Sequence, residues 1–160
     1  MFPIQCKEIL PVDHILLTSI SVRGALGPLT IWVTKDENNT LDTNLTKWKK
    51  IYSQTHKPNY RNFVQLELSE SIKLKPGEIK GVYIHSALPG DQAIVYDNHY
   101  GQMNRSDTLE DSFVKIHAAV AHVSNTPFGD VPIWGWGNAW RVNRKFVGRI
   151  SYGIVYKLWQ

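Results

Sequence analysis

Short runs of Ile, Val, Tyr and Trp recur along this chain, each closed by Gly, Pro, Asn or Asp, a rhythm that fits strands joined by turns. Residues 14–22, HILLTSISV, alternate Leu17, Ser19 and Ser21 with Thr18, Ile20 and Val22. After the turn RGALGP, residues 29–34 put Ile31 and Val33 on one side and Thr30, Trp32 and Thr34 on the other. These two strands are expected to be neighbours. Residues 35–46 are polar and Asn-rich, which reads as a surface loop. Strand character resumes at 48–52 and, after the loop 53–62, at 63–68, where FVQLEL alternates strictly. Ile72 and Leu74 lead into KPGE, where Pro76 and Gly77 suit the two central positions of a type II turn.

Further strands are expected at 80–85 and 93–96, followed by a polar excursion over 97–111. Residues 113–123 carry two periods at once: Phe113, Ile116, Val120 and Val123 at helical spacing, Val114, Ile116, Ala118 and Val120 at strand spacing. The β-branched content and turn-like flanks favour a strand. The long run 146–159 closes the chain, with Gly148 and Gly153 as bulge or close-packing positions, and is expected to pair deep in a sheet.

With about eight to nine strands and no clear helix, the expected fold is all-β: an antiparallel β-sandwich, jelly-roll-like in its spacing. Its 160 residues suit one domain with one core, preceded by an N-terminal arm over residues 1–13. A hydrophobic content of 42% and a charged content of 20% fit a globular chain rather than a disordered or membrane-spanning one.

Composition also excludes function classes. Cys6 is the single cysteine, so no internal disulfide forms, and no Cys/His set has zinc spacing. Far from any neighbouring His in sequence, it reads as an inert thiol. GALGP lacks the Lys-Ser/Thr ending of a phosphate loop, so no nucleotide cofactor, and no cofactor of any kind, is implied. The net charge of +4 is mild and its Lys and Arg scattered, apart from Lys47, Lys49 and Lys50 and the group Arg141, Arg144, Lys145 and Arg149. That argues against a nucleic-acid partner, whose binder carries a denser stripe. Lys7, Glu8 and Asp13 interrupt the apolar N-terminus, which lacks the centre of a signal peptide. The N-x-[ST] triplets at Asn38, Asn44 and Asn104 then read as incidental, and the expected location is cytoplasm, nucleus or the inside of a larger assembly, with no membrane contact.

Three constellations could carry chemistry. His117 and His122 lie five apart, on opposite faces of a strand, so no shared metal is expected. His85 with Ser86, and Asp97 with His99, stand at neighbouring strand ends; the plain reading is hydrogen bonding that ties loops, the sharper one a Ser86–His99–Asp97 hydrolytic triad. Nothing like a nucleophile elbow surrounds Ser86, so an enzyme is not expected. The third is WGWGNAW, which places three of the six tryptophans within seven positions. In an extended segment Trp134 and Trp136 point the same way, with Gly135 and Gly137 leaving the other side bare. Such a shelf stacks on a sugar, a base or a peptide, with Arg141 and Arg144 at its rim, or else it caps an open end of the sandwich. Of the two, the sequence favours the cap, with Trp140 and Trp159 in the core.

The order of ILLTSISVRG, LTIWVTKDE, LKPGEIKGVYIHS, IVYDN, SNTPFG and FVGRISYGIVY resembles the PHR domains of large ubiquitin ligases and BTB adaptors, and stand-alone domains of algae and other protists. The likeness runs over residues 14–159 and is one of strand order and turn placement. It implies a jelly-roll-like sandwich that binds other proteins without catalysing a reaction. The tryptophan-rich loop departs from the PHR pattern, so ubiquitin-pathway partners and family site residues do not carry over. The expectation is therefore a noncatalytic interaction or structural-assembly module that meets a protein partner through end loops. Trp134, Trp136, Arg141 and Arg144 are its expected contact residues, with Tyr96, Asp97, His99 and Tyr100 adjoining. A glycan, held on the same shelf with Asp97, Asn98 and Asn138 as hydrogen-bonding groups, is the alternative; a hydrolase using His85, Asp97 and His99 ranks behind both.

Overall fold

A computed structural model describes residues 1–36, 40–98 and 109–158. In chain order its strands are β1 (Phe2–Cys6), β2 (Val12–Gly24), β3 (Gly27–Thr34), β4 (Trp48–His56), β5 (Asn59–Leu74), β6 (Ile79–Ser86), β7 (Tyr96–Asn98), β8 (Leu109–Glu110), β9 (Val114–Ile116), β10 (Ala119–His122), β11 (Trp140–Phe146) and β12 (Arg149–Tyr156). All pairings among them are antiparallel. They form a six-stranded sheet ordered β4-β3-β6-β1-β9-β8 and two three-stranded sheets, β12-β2-β5 and β10-β11-β7. The fold is the expected all-β sandwich, with more strands than the sequence suggested; β2, β4 and β5 run longer than read, and β4 and β5 take up most of the expected loop 53–62. Among the described residues no helix is long and apolar enough to cross a membrane.

Alternation builds the sandwich. Ile15, Leu17, Ile20 and Val22 of β2 and Leu66, Ile72 and Leu74 of β5 meet Ile4, Leu29, Ile31 and Val82 of the large sheet in one buried core. Each such side chain contributes roughly 1.5–3 kcal/mol when removed from water. β6 shows the period of two most clearly, because the large sheet is covered on both faces. Val82 enters the main core, while Tyr83 turns to the opposite face and joins Met1, Trp48 and Phe128 in a second, aromatic cluster.

The KPGE turn forms as read: Gly77 has φ +83°, and Glu78 N–H donates to the Lys75 carbonyl at 2.9 Å. Other expectations need correction. Residues 1–13 are not simply an arm, since β1 is an inner strand between β6 and β9. β2 and β3 are consecutive but lie in different sheets; Gly24, Leu26 and Gly27, all with positive φ, swing the chain across the sandwich. Residues 93–95 are not a strand but a tie, with Leu26 N–H donating to the Ala93 carbonyl at 2.8 Å and Val95 N–H to that of Arg23 at 2.9 Å. The 113–123 run is extended, yet it is split. Its first half follows β1 as far as the reciprocal bonds between Met1 and Val120, and its second half leaves to pair with β11. The last strand, β12, pairs with β2 alone and forms a sheet edge rather than a centre. Gly148 is close-packed as expected, since a Cβ there would sit 2.3 Å from the Ser21 carbonyl oxygen, whereas Gly153 faces open space. Trp159 lies outside the described residues.

Candidate functional site

Three features gather around the β10-β11-β7 sheet: the aromatic cluster, a cleft beside it, and the tryptophan loop. The cluster is organised by Tyr83, whose ring lies 4.5 Å from that of Phe128 and 6.1 Å from those of Trp48 and Trp140. Its hydrogen bonds fix a tautomer. His122 Nε2 lies 2.8 Å from the Gly129 carbonyl, which only accepts, so that nitrogen carries the proton. Nδ1 is then the acceptor for the Tyr83 hydroxyl at 2.6 Å, and that hydroxyl accepts in turn from Phe128 N–H at 3.3 Å. Trp140 stacks on the His122 imidazole at 3.8 Å. Burial pushes His122 down to about 4 and raises Tyr83 far above the usual phenol range, so both stay neutral near pH 7.

His85 and Ser86 are spent on loops. His85 Nε2 donates to the Ser124 carbonyl at 2.7 Å, and burial lowers its basicity. The Ser86 hydroxyl donates to the Leu26 carbonyl and accepts from Leu88 N–H at 3.1 Å. His117 Nε2 donates to Gln5 Oε1 at 2.9 Å, apart from His122. Asp97 is exposed and pairs in register with Lys145, while His99 and Tyr100 lie outside the described residues, as do Asn38 and Asn104. Cys6 is buried, and burial raises its thiol further.

The tryptophan loop departs from the expected cap. The segment is not extended: Pro132 to Gly135 closes a turn through Gly135 N–H to the Pro132 carbonyl at 2.8 Å, and Gly135 and Gly137 take φ of +87° and +85°. Those values suit glycine, and they lift the rings outward instead of laying them on the sheet. Trp136 is 75% exposed and Trp134 39% exposed. The covering role falls to Phe128 and Trp140, which pack in the aromatic cluster as Trp140 was expected to do.

Arg141 ties this loop to β7. Its guanidinium lies 5.1 Å from the centre of the Trp134 ring, donates to the Tyr96 hydroxyl at 3.2 Å, and stands 3.8 Å from Asp91 Oδ2. A cation held over an indole face contributes about 0.5–1 kcal/mol and limits how the ring can swing. Trp134, Tyr96 and Arg141 are thus brought together as expected, with Asp91 added. Arg144 is not gathered with them. Its Nη1 donates to the carbonyls of Val142 at 2.7 Å and Asn143 at 3.3 Å, and its buried Nε has no partner. Asn138 Oδ1 is occupied by Trp140 N–H at 2.9 Å.

The cleft has a volume of about 100 Å³ and runs between β1, the end of β6, β10 and β11. Phe2, Ile84, Ala119 and Phe146 line it together with Arg144 and Lys145. Sequence reasoning missed both the cleft and the Tyr83 cluster, because the members of each come from segments far apart in the chain. One signal was available in GVYIH, where Tyr83 and His85 must share a face opposite Val82 and Ile84. No three His, Cys, Asp or Glu side chains among the described residues group as a metal site would. No known protein family, curated protein or solved structure matches the chain.

Proposed function

We propose that this chain is a noncatalytic interaction module that docks a protein partner on the tryptophan loop. The observation that carries this reading is the outward presentation of Trp136, 75% exposed, beside a Trp134 ring braced by Arg141. Large apolar rings left in water weaken no fold contact when a partner covers them, and tryptophan and arginine are the residues most enriched among binding hot spots. Tyr96 and Asp91 supply polar groups at the edge of the pair, as an interface rim requires. The glycan reading uses the same rings but is weakened by Asn138, whose side-chain oxygen is already engaged.

The test is to capture partners on the wild-type domain, identify the one retained, and measure its affinity against Trp136→Ala and a Trp134→Ala/Trp136→Ala pair. A hot spot predicts a loss of about 2 kcal/mol or more for the pair, roughly thirtyfold, with the fold intact. Unchanged affinity would remove the loop from the interface, and saturable hits on a glycan array would favour the carbohydrate reading.

A further inference from the structure

We propose that the cleft between β1, β6, β10 and β11 is a binding site for a small carboxylic acid with an apolar body, adjoining the surface that docks the protein partner and sharing Tyr96 and Asp91 with its edge. The shape sets the size. A volume of about 100 Å³ is several times that of one water and somewhat below a cavity that takes up benzene, so the body has about five or six carbons. The wall sets the polarity. Phe2, Ala119 and Phe146 are buried and Ile84 half-buried, which gives the inner part of the cleft an apolar lining that ordered water satisfies poorly.

The charge sets the head group. Arg144 and Lys145 line the same cleft, and neither has an ion-pair partner among the described residues. Asp97, across the ladder from Lys145, makes no ion pair with it, and Asp91, the acid that shares the cleft, is already 3.8 Å from Arg141. His85 and His122 also line the cleft, but burial keeps them neutral. The cleft therefore carries unbalanced positive charge next to apolar surface. A carboxylate is the natural counter-ion for Arg144 and Lys145, which have no acidic partner among the described residues.

The experiment is an amide-shift titration of the whole chain with hexanoate, 1-hexanol and inorganic phosphate. Hexanoate is expected to give saturable shifts confined to the start of β1, the end of β6, residues 90–96, β10 and the end of β11. Hexanol, which shares the body but not the charge, is expected to bind at least tenfold more weakly, and phosphate to give no saturable shifts. Lys145→Glu should weaken hexanoate at least tenfold, and Arg144→Gln, which removes a charge without reversing it, should do the same with the fold intact. Lys73→Glu, an identical charge change on β5, should leave the affinity as it was. Hexanol binding as tightly as hexanoate, shifts outside the cleft, or an affinity indifferent to both cleft variants would overturn the proposal.

Discussion

His122 is held neutral by two neighbours that agree on where its proton sits. The Gly129 carbonyl requires Nε2–H, and the Tyr83 hydroxyl requires a bare Nδ1, so protonating Nδ1 would set two donors against each other unless the hydroxyl turned away. Burial is the larger cause of the low pKa; His85 and the Met1 amine add repulsion, while Gly129 and Asp130 oppose it. The folded value is about 4 against an ordinary 6.5, so between those values the unfolded chain binds a proton that the folded chain refuses. Stability from this group is therefore complete above the ordinary value and declines as pH falls towards the folded one. His85 and His117, both lowered by burial, act with the same sign. The melting temperature is expected to fall between about pH 7 and pH 5, and His122→Gln to flatten that slope. A variant with the wild-type slope would place the titration elsewhere.

The crossing from β2 to β3 depends on residues that hold no secondary structure of their own. Gly24 has φ +141°, and a Cβ there would meet the Ala93 carbonyl oxygen at 2.4 Å, so Gly24→Ala combines a strained backbone with a clash against main chain. The expected loss is at least about 2 kcal/mol in urea unfolding, with an unchanged m-value. The same segment shows where the sequence was legible. β5 and β6 could be read because one-sided burial writes a period of two into FVQLEL and two-sided burial writes alternating aliphatic and aromatic residues into GVYIH. β1 could not, since FPIQC is too short to show a period and earns its inner place only by pairing with residues 79–82 and 114–116. AIVY failed for the opposite reason: its apolar residues fill space beside the β2–β3 crossing, while its backbone bonds go to a turn instead of a ladder. The WGWGNAW stretch misled through its glycines, which read as gaps in an extended shelf but take the positive φ of a folded loop.

Taken whole, the molecule separates the work of its tryptophans by which side of one short segment they occupy. Trp48 and Trp140 belong to the cluster that seals the outer face of the large sheet, together with Tyr83 and Phe128, whereas Trp134 and Trp136 stand on the loop beyond it. A ring in the cluster has neighbours on several sides, and its loss leaves a cavity that the rigid sheet cannot close. The exposed ring at Trp136 has water on most of its surface in the folded and unfolded chain alike, so its removal changes little between the two states. Trp140→Ala is accordingly expected to cost about 2 kcal/mol or more, part of it from the stacked His122, while Trp136→Ala stays within about 0.5 kcal/mol. Iodide should quench Trp136 in the native protein, and the quenched fraction should fall in the Trp136→Ala variant, leaving the smaller part owed to Trp134. If Trp136→Ala proved as costly as Trp140→Ala, the loop would be part of the structural seal, and the partner surface would have to lie on another part of the sandwich.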